Sequence, residues 1–153
     1  MELVEGRPQD KRIDKEERVY DLLDQLNIDY QRIDHEEANT MEVCLEIEKT
    51  LKSTICKNLF LVNSNKSQYY LLMLKENKKF KTKVISKQIN SSRLSFGSDE
   101  KMLEYLDITP GSVSLLGLMN DHDFKVQLLM DKDLLQDEYL GCHPCINTSS
   151  LRI

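Results

Sequence analysis

No apolar stretch in this sequence is long enough to cross a bilayer. The longest runs, Leu59 to Val62 and Tyr69 to Leu74, fall far short of the ~20 residues a spanning helix takes, so no membrane partner is expected. An apolar leader is missing too. Met1-Glu2-Leu3-Val4-Glu5 is acidic, no signal peptide is read, and the expected home is the cytoplasm. Positive charge is in deficit: 21 Lys and Arg stand against 26 Asp and Glu, a formal net charge of -5. That argues against a general nucleic-acid binder, and no DNA partner is expected, because phosphate contacts need basic residues. Cysteines are few, at 44, 56, 142 and 145. Without an export signal they are expected as reduced thiols. There is no internal repeat, no low-complexity segment and no Ser-His-Asp order. Ser95, in Leu94-Ser95-Phe96-Gly97, lacks the glycine pattern of a nucleophile elbow.

What is present suits one globular domain of 153 residues, 40% hydrophobic and 31% charged. Residues 1–12, polar with Gly6 and Pro8, read as a flexible N-terminal arm, and 13–153 as the domain. Asp14 with Glu17 looks like a helix cap, and Val19, Leu22, Leu23 and Leu26 give a helix over 15–27. Asn39 or Thr40 caps a second helix carrying Met41, Cys44, Leu45 and Glu48. Ile55–Val62 and Tyr69–Leu74, split by a turn cluster at 63–67, read as a hairpin. A short helix is expected over 82–89, and a second begins at Ser98 and runs to Leu106. Strands are expected at 30–34, 94–96 and 148–153. Val113–Met119 and Phe124–Met130 flank the turn-like Asn120-Asp121-His122-Asp123, which predicts a second hairpin. The fold class is α/β, α+β-like: a mixed, largely antiparallel sheet with surrounding helices.

Three motifs stand out. Lys57-Asn58 interrupts an apolar strand. A buried ammonium needs an anion, whether a ligand phosphate or a carboxylate, whereas a simple alternating strand would turn Lys57 to solvent. Thr109-Pro110-Gly111-Ser112-Val113-Ser114 is either an ordinary turn or a place where backbone N–H groups hold an oxyanion. Gly141-Cys142-His143-Pro144-Cys145 has Cys-x-x-Cys spacing. No helical pattern follows it and no second ligand pair completes a zinc set, so no metal and no cofactor are expected. Lys75, Lys78, Lys79, Lys81, Lys83, Lys87 and Arg93 form a basic stripe opposed only by Glu76. It is either a solvated face or a limited contact to a phosphate backbone.

The order of these pieces is more specific than any one of them. His35 with Thr40-Met41-Glu42, then Cys56-Lys57-Asn58-Leu59-Phe60-Leu61, Tyr70-Leu71-Leu72, Leu94-Ser95-Phe96, Pro110-Gly111-Ser112-Val113-Ser114 and Gly141-Cys142-His143-Pro144 with Asn147-Thr148 resembles the YbaK / prolyl-tRNA synthetase editing-domain superfamily, over roughly residues 15–150. The ProXp-ala/PrdX type is the nearest. The resemblance implies hydrolysis of the ester of a mischarged tRNA(Pro), with Ala-tRNA(Pro) the expected substrate. The alternatives are Cys-tRNA(Pro), or a non-catalytic module that binds charged tRNA or a synthetase. It implies the acceptor end of aminoacyl-tRNA as partner, together with prolyl-tRNA synthetase. It carries catalytic roles to Lys57, Asn58 and His143, and substrate contacts to Thr40, Gly111, Ser112, Val113, Ser114, Gly141 and Pro144. Lys79, Lys81 and Lys83 of the stripe are the expected tRNA contacts. Leu115 departs from the family, whose turn usually ends in proline.

Overall fold

Helical spacing of apolar residues produces the first helix, α1 (Asp14–Gln25), which buries Val19, Tyr20 and Leu23. The computed structural model describes all 153 residues. Chain order continues β2 (Gln31–Asp34), α2 (Met41–Leu51), β3 (Lys57–Val62), β4 (Tyr69–Leu74), α3 (Thr82–Gln88), β5 (Ser95–Phe96) and α4 (Asp99–Leu106). Then come β6 (Val126–Met130), β7 (Gly141–Cys142) and β8 (Ser149–Arg152), with a two-residue β1 (Val4–Glu5) ahead of α1. The capping expectations hold at two helices. Thr40 Oγ1 accepts from Val43 N at 3.2 Å, and Ser98 Oγ accepts from Lys101 N at 3.2 Å. At α1 the cap differs: Ile13 holds the cap position without a side-chain bond, and Asp14 is already helical. Glu17 still reaches back, accepting from Arg12 N at 3.0 Å.

The sheet system is mixed and largely antiparallel, but it is split in two. One sheet runs β1-β2-β8-β7 and the other β5-β3-β4-β6, with β6 parallel to β4 and every other pair antiparallel. The main core fills the space between them. Phe60, Val62, Tyr69 and Leu71 from the second sheet meet Cys142 and Leu151 from the first, closed by α1 and α4. A full burial of each such side chain contributes about 1.5–3 kcal/mol. The other face of β3 and β4, with Leu61, Tyr70, Leu72 and Leu74, is covered by Phe80, Ile85 and Ile89. No helix is long and apolar enough to cross a membrane.

Two expectations are corrected. Residues 1–12 are docked to the body. Val4 and Glu5 pair with Arg32 and Gln31, and Gly6 N donates to Tyr30 O at 3.2 Å. Arg7 and Arg12 pair with carboxylates of α1 and β2, including Glu17 at 2.7 Å and Asp34 at 2.9 Å. The second hairpin does not form. Leu115–Asn120 winds into a 3-10 segment whose start is capped by Ser114 Oγ, accepting from Leu116 N at 3.2 Å. Both faces of that run are packed, so its period carries no strand signal. The Asp121 carboxylate then takes the Lys125 and Val126 amides at 3.0 and 2.8 Å, turning the chain into β6 alongside β4.

Candidate active site

Close backbone approach builds the site. Gly141 lies against the segment entering β3. A Cβ there would stand 2.4 Å from Thr54 O, and Cys56 N donates to Gly141 O at 3.2 Å. Only glycine fits, which fixes the following residues, half-buried His143 and buried Pro144, near the start of β3. Asn147 and Thr148 then receive the loop before α2: Ala38 N donates to Asn147 O at 3.3 Å and His35 N to Thr148 O at 3.0 Å. Thr40 ends that loop, exposed, with its hydroxyl engaged in capping. From the other side comes the turn at 109–114. Gly111 sits at φ +92, and a Cβ on it would come within 3.8 Å of Asn147 Nδ2. Ser112 and Ser114 are buried there, and the Ser114 hydroxyl accepts from Leu116 N at 3.2 Å. The amides of Gly111, Val113 and Ser114 donate to no protein acceptor. Ser112 N, between them, donates to Thr109 O at 3.2 Å, so Val113 and Ser114 form the one adjacent pair of free donors. Such N–H groups in a turn can serve an oxyanion.

His143 Nδ1 is 3.0 Å from Ser149 O, so that nitrogen carries the proton and Nε2 keeps its lone pair. Burial lowers its pKa, and the neighbouring His35 adds to this, while the Ser149 carbonyl opposes it. The ring is therefore neutral at pH 7. Asn58 shares a β3 face with Phe60 and Val62, toward the main core. Its Nδ2 donates to Cys56 O at 3.2 Å, while its Oδ1 is buried without a donor. An orphaned buried acceptor invites a ligand N–H or O–H.

Strand alternation sends Lys57 to the opposite face, with Leu59 and Leu61 under α3. Its Nζ donates to Lys78 O at 2.6 Å, and no carboxylate lies within ion-pair range of this half-buried ammonium. No hydrogen bond links Lys57 to Asn58 or His143. All three nevertheless lie within two residues of the Cys56–Gly141 junction.

The stripe divides. Lys75 pairs with Asp137 at 3.3 Å, and Lys78 with Asp131 and Asp133 at 2.5 Å each. Lys79, Lys81, Lys83, Lys87 and Arg93 are exposed and carry no carboxylate partner. The thiols offer no nucleophile. Cys56, Cys142 and Cys145 are buried and free, and burial raises each above the ordinary thiol range, Cys145 to about 12. No cluster of three or more His, Cys, Asp or Glu is arranged to hold a metal ion.

Sequence reasoning missed Glu48 and Ser150. Glu48 accepts from Ile55 N at 3.1 Å. Burial, reinforced by Glu76, pushes its pKa up to about 7. The available signal was a carboxylate on the apolar stripe of α2. Ser150 is fully buried on β8, and the Ser149-Ser150 pair beside Leu151 was its only trace.

A family model described as an aminoacyl-tRNA editing domain matches residues 35–153. The prolyl-tRNA editing protein ProX of Acetoanaerobium sticklandii is 32% identical over 139 residues, covering 91% of this chain and 85% of its own. The prolyl-tRNA synthetase associated domain-containing protein 1 of Danio rerio is 25% identical, over 92% of this chain and 77% of its own. Among solved structures, a proposed trans-editing enzyme for prolyl tRNA synthetase superposes with TM-score 0.72 at 15% identity, over 94% of this chain and 88% of its own, and so shares the fold. The family match takes in every segment that converges at Gly141. The chain accordingly belongs to the aminoacyl-tRNA editing domain family and is a hydrolase, an aminoacyl-tRNA deacylase.

Proposed function

We propose that this protein edits in trans, hydrolysing the ester of mischarged tRNA(Pro), with Ala-tRNA(Pro) the preferred substrate. The single observation that carries the assignment of the site is Lys57. A half-buried ammonium held by a backbone carbonyl and lacking a carboxylate is poised for an anionic ligand. The terminal nucleotide of an acceptor end supplies that anion. The 32% identity to a prolyl-tRNA editing protein favours tRNA(Pro) as the carrier.

In the reaction, water adds to the ester carbonyl carbon. The bond from that carbon to the ribose oxygen then breaks. The ribose oxygen takes a proton, and free amino acid and tRNA leave. The unpaired amides of Gly111, Val113 and Ser114 receive the oxyanion. Lys57 holds the terminal nucleotide, and Asn58 Oδ1 accepts from a substrate donor. Neutral His143 lines the aminoacyl pocket, with Thr40, Ser112, Gly141 and Pro144 around it. Inert thiols agree with attack by water rather than by a side chain. Lys79, Lys81 and Lys83 contact phosphates of the acceptor stem, and prolyl-tRNA synthetase is the natural companion of such an activity.

The test is deacylation over a panel of Ala-, Cys-, Ser- and Pro-charged tRNA(Pro). The reading expects Ala-tRNA(Pro) to be cleared fastest and Pro-tRNA(Pro) to be spared. Faster clearance of Cys-tRNA(Pro) reassigns the amino acid. Binding without hydrolysis of any ester contradicts the proposed reaction.

A further inference from the structure

His143 does not stand alone. Its Nδ1 lies 3.0 Å from Ser149 O and 3.4 Å from Ser150 Oγ. Ser150 Oγ lies 2.8 Å from His35 Nε2, and His35 Nδ1 lies 2.6 Å from Glu36 O. The two carbonyls can only accept, so both Nδ1 atoms carry protons. With a single proton on the His35 ring, Nε2 is an acceptor and the Ser150 hydroxyl donates to it. That leaves an oxygen lone pair of Ser150 for the second branch from His143. The protons run one way only: His143 to Ser150, Ser150 to His35, His35 to Glu36. The opposite order would set nitrogen lone pairs against both carbonyls.

We propose that Ser150 and His35 are positioning residues, which lock His143 in the Nδ1–H form so that Nε2 is presented to the substrate as a hydrogen-bond acceptor. This rests on the reading of His143 as part of the aminoacyl pocket. The lock is set by sheet register. Ile33 pairs with Ser150 and Asp34 with Ser149 across β2 and β8, and His35 N extends the ladder to Thr148 O. Ser150 is fully buried, so no water competes for its hydroxyl.

The surroundings oppose a cationic His143. The His35 ring centroid is 6.3 Å away. The Ser149 hydroxyl donates to Asp34 at 2.6 Å on the far side of β8, where Arg12 already neutralises that carboxylate at 2.9 Å. The Cys142 and Cys145 thiols nearby are protonated. No free carboxylate faces the ring, and the Ser149 carbonyl alone favours its second proton.

Ring-nitrogen NMR of the wild-type protein tests the lock without any variant. The expected spectrum shows His143 neutral at pH 7 and protonated on Nδ1. A neutral ring protonated on Nε2 overturns the proposal, whatever the activity. Kinetics tests the consequence. Ser150→Ala is expected to lower the saturated deacylation rate roughly five- to tenfold with KM little changed, and to have no further effect in a His143→Ala background. His35→Asn removes a nearby ring and is expected to move the acid limb of the rate to higher pH. An additive loss in the double variant, or an unmoved acid limb, makes the network merely structural and overturns the positioning role. A wild-type rate in His143→Ala, beside the expected tautomer, overturns the pocket reading instead, so the two failures are distinguishable.

Discussion

The two faces of β3 differ in charge. On one side, Asn58, Phe60 and Val62 look toward a region of protonated thiols, serines, free turn amides and a neutral imidazole. On the other, Lys57 donates to the Lys78 carbonyl, within a stripe in which five cations lack carboxylate partners. On the proposed reading, uncharged surroundings suit a small apolar amino acid and the passing charge of an oxyanion. A cationic surface suits phosphates. On the same reading, a protein of net charge -5 engages tRNA through the cations of that one face that lack carboxylate partners.

The strongest way to break this arrangement is to part the two sheets at their junction. Gly141→Ala places a Cβ 2.4 Å from a backbone oxygen that cannot swing away. The expected cost is about 3 kcal/mol or more, read as a fall in Tm of several degrees and loss of activity. Retained Tm would mean that β7 can move off residue 54 freely. The uncharged face is tested by His143→Ala, expected to lower the deacylation rate at least about tenfold, near 1.4 kcal/mol, with folding unchanged. A wild-type rate removes His143 from the site.

The stripe is tested by Lys79→Ala/Lys81→Ala. These cations touch remote phosphates, so the apparent KM should rise several-fold and its salt dependence should flatten, with the saturated rate preserved. Smallest is the effect of the acid that interrupts the cationic side. Glu48 is raised to about 7 by burial and by Glu76. The folded state therefore holds the proton more tightly than the unfolded chain does. Its contribution to stability is full below the unfolded value near 4.5 and is lost as pH rises through about 7. Glu48→Gln should flatten the stability profile across that window and stabilise the protein above it by about 1 kcal/mol, after allowance for solvent screening. Chemical denaturation at three pH values reads this directly, and an unchanged profile would show that Glu48 is ordinarily solvated.

The sequence made local features legible and long-range ones invisible. Thr40 and Ser98 announced their helices because a cap is a contact three residues long. The β3–β4 hairpin was readable from its turn. Val113–Met119 was not, since an apolar run packed on both sides has no period, and the parallel pairing of β6 with β4 spans more than fifty residues of chain. Arm residues 1–12 looked loose because their partners, Glu17, Arg32 and Asp34, lie in other elements. Of the site, the motifs carrying Gly111, Gly141 and His143 were visible in order along the chain. That Lys57 and Asn58 part to opposite faces follows from alternation, but which face is which needed the fold. The Ser150 and His35 link joins residues 115 apart and exists only through the β2–β8 register.

Lys57 decides the account. Lys57→Ala is to be compared with Lys79→Ala/Lys81→Ala on Ala-tRNA(Pro), under saturating single-turnover conditions at two salt concentrations. If Lys57 holds the terminal nucleotide beside the ester, its loss misplaces the reacting carbonyl, and the saturated rate should fall roughly tenfold or more. The stripe variant should keep that rate and weaken binding alone. A wild-type saturated rate in Lys57→Ala would contradict the account, leaving Lys57 as a strand residue that caps the Lys78 carbonyl and nothing more.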